Sequence, residues 1–153
     1  MISNAEVFVT VDGVLGAKIK QRKPIARVVA STPYYLDEEG TPMPLSEIHA
    51  ARVPIISGIS GKDYEALVPL LLKIKEDDFM NNHIIGIQKQ EDDELTLFLR
   101  VYDFTIEFGK PIEIDKKFQK FKAFYQKTIK DNTISAYNLV NLKVDNQVIA
   151  TKK

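Results

Sequence analysis

The chain has 153 residues, enough to bury one ordinary hydrophobic core without disulfides. Its residues are 44% hydrophobic and 27% charged, as in a soluble globular domain, and 21 basic against 21 acidic side chains leave no positive field for nucleic acid. Cysteine is absent, which removes thiolate metal sites and cysteine nucleophiles and leaves the compartment open. No stretch of about 18 consecutive apolar residues suggests a membrane span, and Met1-Ile2-Ser3-Asn4 does not open a signal peptide.

In chain order, Val7, Val9 and Val11 alternate with Phe8 and Thr10, and Asp12-Gly13 turns the chain into Leu15, Ala17 and Ile19, so a hairpin is predicted first. Pro24 then imposes an extended approach to a strand at Ile25–Val29. Tyr34-Tyr35-Leu36 meets a turn closed by Gly40 and a return segment fixed by Pro42 and Pro44, which predicts a small second hairpin. A short buried segment follows at Arg52–Gly58. Leu67, Leu70, Leu71 and Ile74 then recur at helical spacing after Asp63. Pro69 falls inside that pattern and predicts a late start or a bend.

Ile84–Ile87, Leu95–Val101 and Phe104–Phe108 read as a meander. Asp115 is placed to cap a second helix with Phe118, Phe121, Tyr125 and Ile129 on one face and Lys116, Lys117, Lys120 and Lys127 in water. At the end, Val140, Leu142 and Val144 alternate with Asn141 and Lys143, Asp145-Asn146 supplies a turn, and Gln147–Thr151 forms a last strand. Strands and helices do not strictly alternate, so the class is α+β with a mostly antiparallel sheet and two helices. The last strand either lies under an earlier one or forms an edge whose free N–H and C=O groups can accept a strand from another protein.

Residues with chemistry in reach are few. The carboxylates of Asp37-Glu38-Glu39 and Glu91-Asp92-Asp93-Glu94 follow one another along turns, where neighbouring side chains splay apart, and no calcium-loop spacing is present. His49 and His83 are far apart and are expected at the surface. Gly58-Ile59-Ser60-Gly61-Lys62 is neither a phosphate loop, which would need glycine at Ile56 and Ser or Thr at Asp63, nor a nucleophile elbow, which would need glycine at Lys62. No catalytic constellation and no cofactor site emerges.

Three groups of residues occur in a telling order. They are Asn4-Ala5-Glu6-Val7 with Asp12-Gly13 and Ile19–Ala26; Tyr35–Gly40 through Pro44-Leu45 with Arg52–Gly58; and Val140–Val144 with Asn146–Ile149. In this order they resemble the extracytoplasmic part of the FtsQ/DivIB family, Bacteroidetes type, over nearly the whole chain. The resemblance implies the end of a POTRA module at 1–31 and the family's β domain at 32–153. It implies a periplasmic, non-enzymatic division adaptor on a single-span inner-membrane protein, starting here inside the POTRA module. It also implies FtsB and FtsL as partners, joined by strand addition at Asn141, Lys143, Val144, Gln147, Val148, Ile149, Ala150, Thr151 and Lys152. The family often carries Asp, Arg and Tyr where this chain has Asn141, Lys143 and Val144, and some members carry basic residues near the acidic turn at 91–94. On this reading Ile149→Pro, which removes one donor, abolishes partner binding and spares the fold. The rival is a carbohydrate-binding or hydrolase-like domain using the Asp37 and Asp92 turns, and an interaction domain unrelated to division is a third reading.

Overall fold

A computed structural model describes residues 2–9, 15–21, 23–45, 52–144 and 147–153. The predicted turns at Asp12-Gly13 and Asp145-Asn146, and His49, lie outside these residues. Strands β1 (Ile2–Val9) and β2 (Leu15–Gln21) pair antiparallel as a two-stranded sheet of their own.

The main body is a nine-stranded sheet. Its members are β3 (Pro24–Val28), β4 (Tyr34–Asp37), β5 (Pro42–Pro44), β6 (Ile55–Ser57), β7 (Ile84–Lys89), β8 (Leu95–Leu99), β9 (Thr105–Gly109), β10 (Tyr137–Asn141) and β11 (Ile149–Lys152). They lie in the order β11-β10-β9-β8-β7-β6-β3-β4-β5. Five of the eight pairings are antiparallel; β3–β6, β6–β7 and β9–β10 are parallel. The class is therefore α+β with a mostly antiparallel sheet. Parallel neighbours need crossovers; the chain passes from β3 to β6 through β4 and β5, and the other two crossovers are helical. Helices α1 (Tyr64–Glu76) and α2 (Asp78–His83) join β6 to β7, and α3 (Ile114–Lys130) joins β9 to β10.

Since β6, β7, β9 and β10 run the same way and both crossovers step the same way across the sheet, a common handedness places their helices on one face. Contacts agree with this: Lys73 of α1 reaches Asp115 of α3 at 2.8 Å, and the Phe79 ring of α2 lies 6.1 Å from Phe121 and 5.0 Å from Tyr125. On the helix side the sheet offers one unbroken row, Val28, Ile56, Ile87, Leu97, Ile106 and Val140, each paired with the next and each buried, ending at half-buried Ala150. Leu67, Leu70, Leu71 and Ile74 of α1 and Phe118 and Phe121 of α3 close over it. The opposite face carries a second row, Arg27, Ile55, Gly86, Phe98, Thr105, Leu139 and Thr151, with no helix over it among the described residues.

Several expectations need correction. Among the described residues there are three α-helices where two were expected, because the six residues of α2 are too few to show a period. Helix α1 starts at Tyr64, ahead of Pro69, so the proline does not delay it. Helix α3 is entered through Glu113 in the left-handed region at φ 52°, without a cap from Asp115. Lys117 is buried, its ammonium 4.6 Å from the Phe108 ring centroid and donating to the Lys110 carbonyl at 2.9 Å, while Ile129 is exposed. His83 is half-buried, stacked on Phe79 at 4.2 Å, with Nδ1 2.6 Å from the Phe79 carbonyl and Nε2 3.2 Å from the Tyr125 hydroxyl.

Candidate functional site: the carboxyl-terminal sheet edge

Strand β10 ends at Asn141, earlier than the alternation through Val144 predicted, and β11 begins at Ile149, so seven residues lie between them. Backbone and side-chain bonds hold this connection. The Asn141 side chain accepts from the Lys143 N–H at 2.8 Å, which closes an Asx turn and stops the strand. Lys120 of α3 then donates to the carbonyls of Leu142 and Val144 at 2.8 and 2.7 Å. The Lys143 stem crosses Gly109, whose φ of 78° and lack of a Cβ leave the space; a Cβ there would sit 2.8 Å from Lys143 Cγ. The Lys143 ammonium bonds Glu94 at 2.9 Å and lies 3.7 Å from Glu107. The hydrogen bond to Glu94 raises its pKa, with the charges of Glu94, Glu107 and Asp92 adding to the effect and burial opposing it. The acidic turn is thus a dock for this lysine as well as a solvated loop end.

The last strand is the terminal strand of the sheet. Which of its backbone groups are free follows from two bonds. The Lys153 N–H donates to the Ala136 carbonyl at 2.9 Å, toward β10, and the Leu142 N–H donates to the Glu107 carbonyl at 3.0 Å, toward β9. A strand turns successive residues to opposite sides of the ladder. Ile149 and Thr151, partnered with Asn141 and Leu139, therefore turn their N–H and C=O groups inward to β10. Ala150 and Lys152 turn theirs outward. Side chains alternate independently: Val148 and Ala150 pack on the core, whereas Ile149 and Thr151 are exposed on the helix-free face.

The other end of the sheet is built differently. Thr41 accepts from the Asp37 N–H at 3.1 Å, so Thr41 and Met43 address β4 and the outward positions of β5 are Pro42 and Pro44. Neither proline has an N–H to offer, a common way of closing an edge. Of the two ends of the nine-stranded sheet, β11 is the one that presents outward donors as well as acceptors among the described residues.

The predicted residues divide accordingly. Ile149, Ala150, Thr151 and Lys152 form the edge strand, with Gln147 and Val148 leading into it; Asn141 lies one strand inside; Lys143 and Val144 belong to the connection. Ile149→Pro does not isolate binding from folding as expected, because the Ile149 N–H faces β10; Ala150 and Lys152 are the positions where a proline removes an outward donor. The sequence shows that a last strand exists, but its parity depends on a register shift between Tyr137 and Leu139 that no side-chain pattern marks.

The alternative site does not assemble. Asp37 is buried and accepts from the Glu39 and Thr41 N–H groups at 2.9 and 2.8 Å, closing its own turn. Asp92 caps the β7–β8 turn through the Glu94 N–H at 3.2 Å, at the opposite end of the strands. Among the described residues, no three His, Cys, Asp or Glu side chains are grouped to hold a metal, and no helix is long and apolar enough to cross a membrane.

A family model described as FtsQ/DivIB, C-terminal related, matches residues 23–151. No curated protein matches the chain.

Proposed function

Because the chain belongs to the FtsQ/DivIB C-terminal related family, whose members serve in cell division, we propose that it is a divisome adaptor that binds an FtsB/FtsL-type partner by strand addition at β11. The observation that supports this reading is the contrast between the two sheet ends: prolines close one, and the other presents the outward backbone groups of Ala150 and Lys152. A guest strand bonded there gains its affinity from main-chain hydrogen bonds and its specificity from side chains beside Ile149 and Thr151. Each such hydrogen bond contributes about 0.5–1.5 kcal/mol and a fully buried aliphatic side chain at most about 3 kcal/mol, so contacts beyond the strand are required for tight binding. In this reading the domain is extracytoplasmic and is carried by a membrane helix outside the chain. Residues 1–31 are then the end of a POTRA module and 32–153 the β domain; β1 and β2 lie in the first span, and β3, also within it, is hydrogen-bonded into the large sheet.

The test separates binding from folding. Ala150→Pro removes an outward donor that has no partner among the described residues. It should weaken binding of a purified FtsB–FtsL periplasmic complex by at least about tenfold while leaving Tm and circular dichroism unchanged. Ile149→Pro should instead lower Tm by breaking the β10–β11 ladder. Undiminished affinity in a folded Ala150→Pro variant overturns the proposal.

A further inference from the structure

A groove of about 640 Å³ opens beyond the carboxyl ends of β6, β7 and β9 on the helix side, away from β11. Its floor is Leu67 and Leu95, both buried, and its walls include Pro69 and the exposed Ile112. In its middle, Lys89 is held by Asp63 and Asp93 at 3.0 Å each, so one ammonium is shared between two carboxylates. At its rim stand Lys62 and Lys110, which form no ion pair among the described residues. The lining thus sets three ammonium groups, Lys62, Lys89 and Lys110, against two carboxylates, an excess of one positive charge beside an apolar floor.

We infer that this groove is a second binding site, for a short peptide segment that carries apolar side chains next to carboxylates. Its apolar residues rest on Leu67, Leu95 and Ile112, and its carboxylates meet Lys62 and Lys110. The size lies within the roughly 300–1,000 Å³ of sites that take small ligands or a few residues of a peptide. This site stands independently of the strand edge.

The probe is the blocked hexapeptide acetyl-Gly-Leu-Glu-Leu-Asp-Gly-amide, titrated into the isotope-labelled protein and followed by amide shifts. The comparison peptide has Gln and Asn in place of Glu and Asp. Saturable shifts should cluster at Lys62, Leu67, Leu95, Lys110 and Ile112. The uncharged peptide and the Lys62→Glu/Lys110→Glu variant should each bind about tenfold more weakly, the effect of losing two partly screened ion pairs. Lys62→Gln/Lys110→Gln, which keeps the stems, should fall between, and Ala150→Pro should leave the titration unchanged. Absence of saturation at low-millimolar peptide, equal binding of the uncharged peptide, or shifts centred elsewhere overturns the inference.

Discussion

Tyr64 at the start of α1 shares a hydrogen bond between hydroxyl groups with Tyr34 of β4, their rings meeting edge-on at 6.5 Å. Burial, then the bond to Tyr34, pushes the Tyr64 phenol up to about 12 from the ordinary 10.0. A raised folded pKa means that the protonated phenol stabilises the fold below pH 10, and that this contribution is lost as pH climbs toward about 12. Tyr64→Phe should cost about 1 kcal/mol at neutral pH, and it should flatten the fall in stability between these values. In an alkaline titration followed by phenolate absorbance, one late component should disappear. A variant that keeps the full alkaline loss would show that the loss comes from other groups. Neither this pair nor the approach of His83 to Tyr125, 42 residues away, could be read from local spacing, because the partners meet only when helix and sheet pack. Ser60 was legible only as a residue that is not a nucleophile. Its role is to cap: its backbone N–H and hydroxyl both bond the Asp63 carboxylate, at 2.8 and 3.3 Å.

Helix α2 stands on one residue. Asp77 accepts from the Met80 N–H at 3.1 Å, which caps the helix, and also bonds Lys122 of α3. Burial alone would raise its pKa, but the Lys122 and Met80 bonds outweigh it and hold the carboxyl below the ordinary 3.8. Its contribution is therefore complete above that value and is lost as pH falls through the lower folded pKa. Asp77→Ala should remove about 1–3 kcal/mol at neutral pH in urea unfolding, by loss of the cap and the tie to α3, and much less under strongly acidic conditions. Equal losses at both pH values would refute the assignment. The other helices were visible in advance because their apolar residues recur over several turns, as Leu67, Leu70, Leu71 and Ile74 do. Lys117 was misplaced because its helical position is intermediate, and the Phe108 ring that receives its ammonium lies on another element. The closing strands were legible as strands, but the parallel pairing of β9 with β10 was not. Phe104–Phe108 and Val140–Val144 look the same in sequence whichever way they meet.

The core under the large sheet is continuous, from Val28 and Leu36 at one side to Val140 and Leu142 at the other. Such a core predicts one cooperative transition for residues 23–153, whereas β1 and β2 form a separate sheet. Deleting residues 1–22 should shift the calorimetric Tm by no more than a few degrees and keep a single peak. Loss of that peak would place the hairpin within the folding unit. The overall class was readable because the order of strands and helices excludes an all-parallel sheet. The free edge was foreseen only as one of two options, since strand order depends on which elements the helices bridge.

Pro42 and Pro44 also decide what this molecule can build with its own kind. An endless ribbon needs every copy to greet the copy before it and the copy behind it, through two complementary strands. Here the second greeting fails at β5 for want of amide hydrogens, so the last strand of one copy finds no matching strand at the far end of the nine-stranded sheet of the next, and that sheet does not lengthen into a filament.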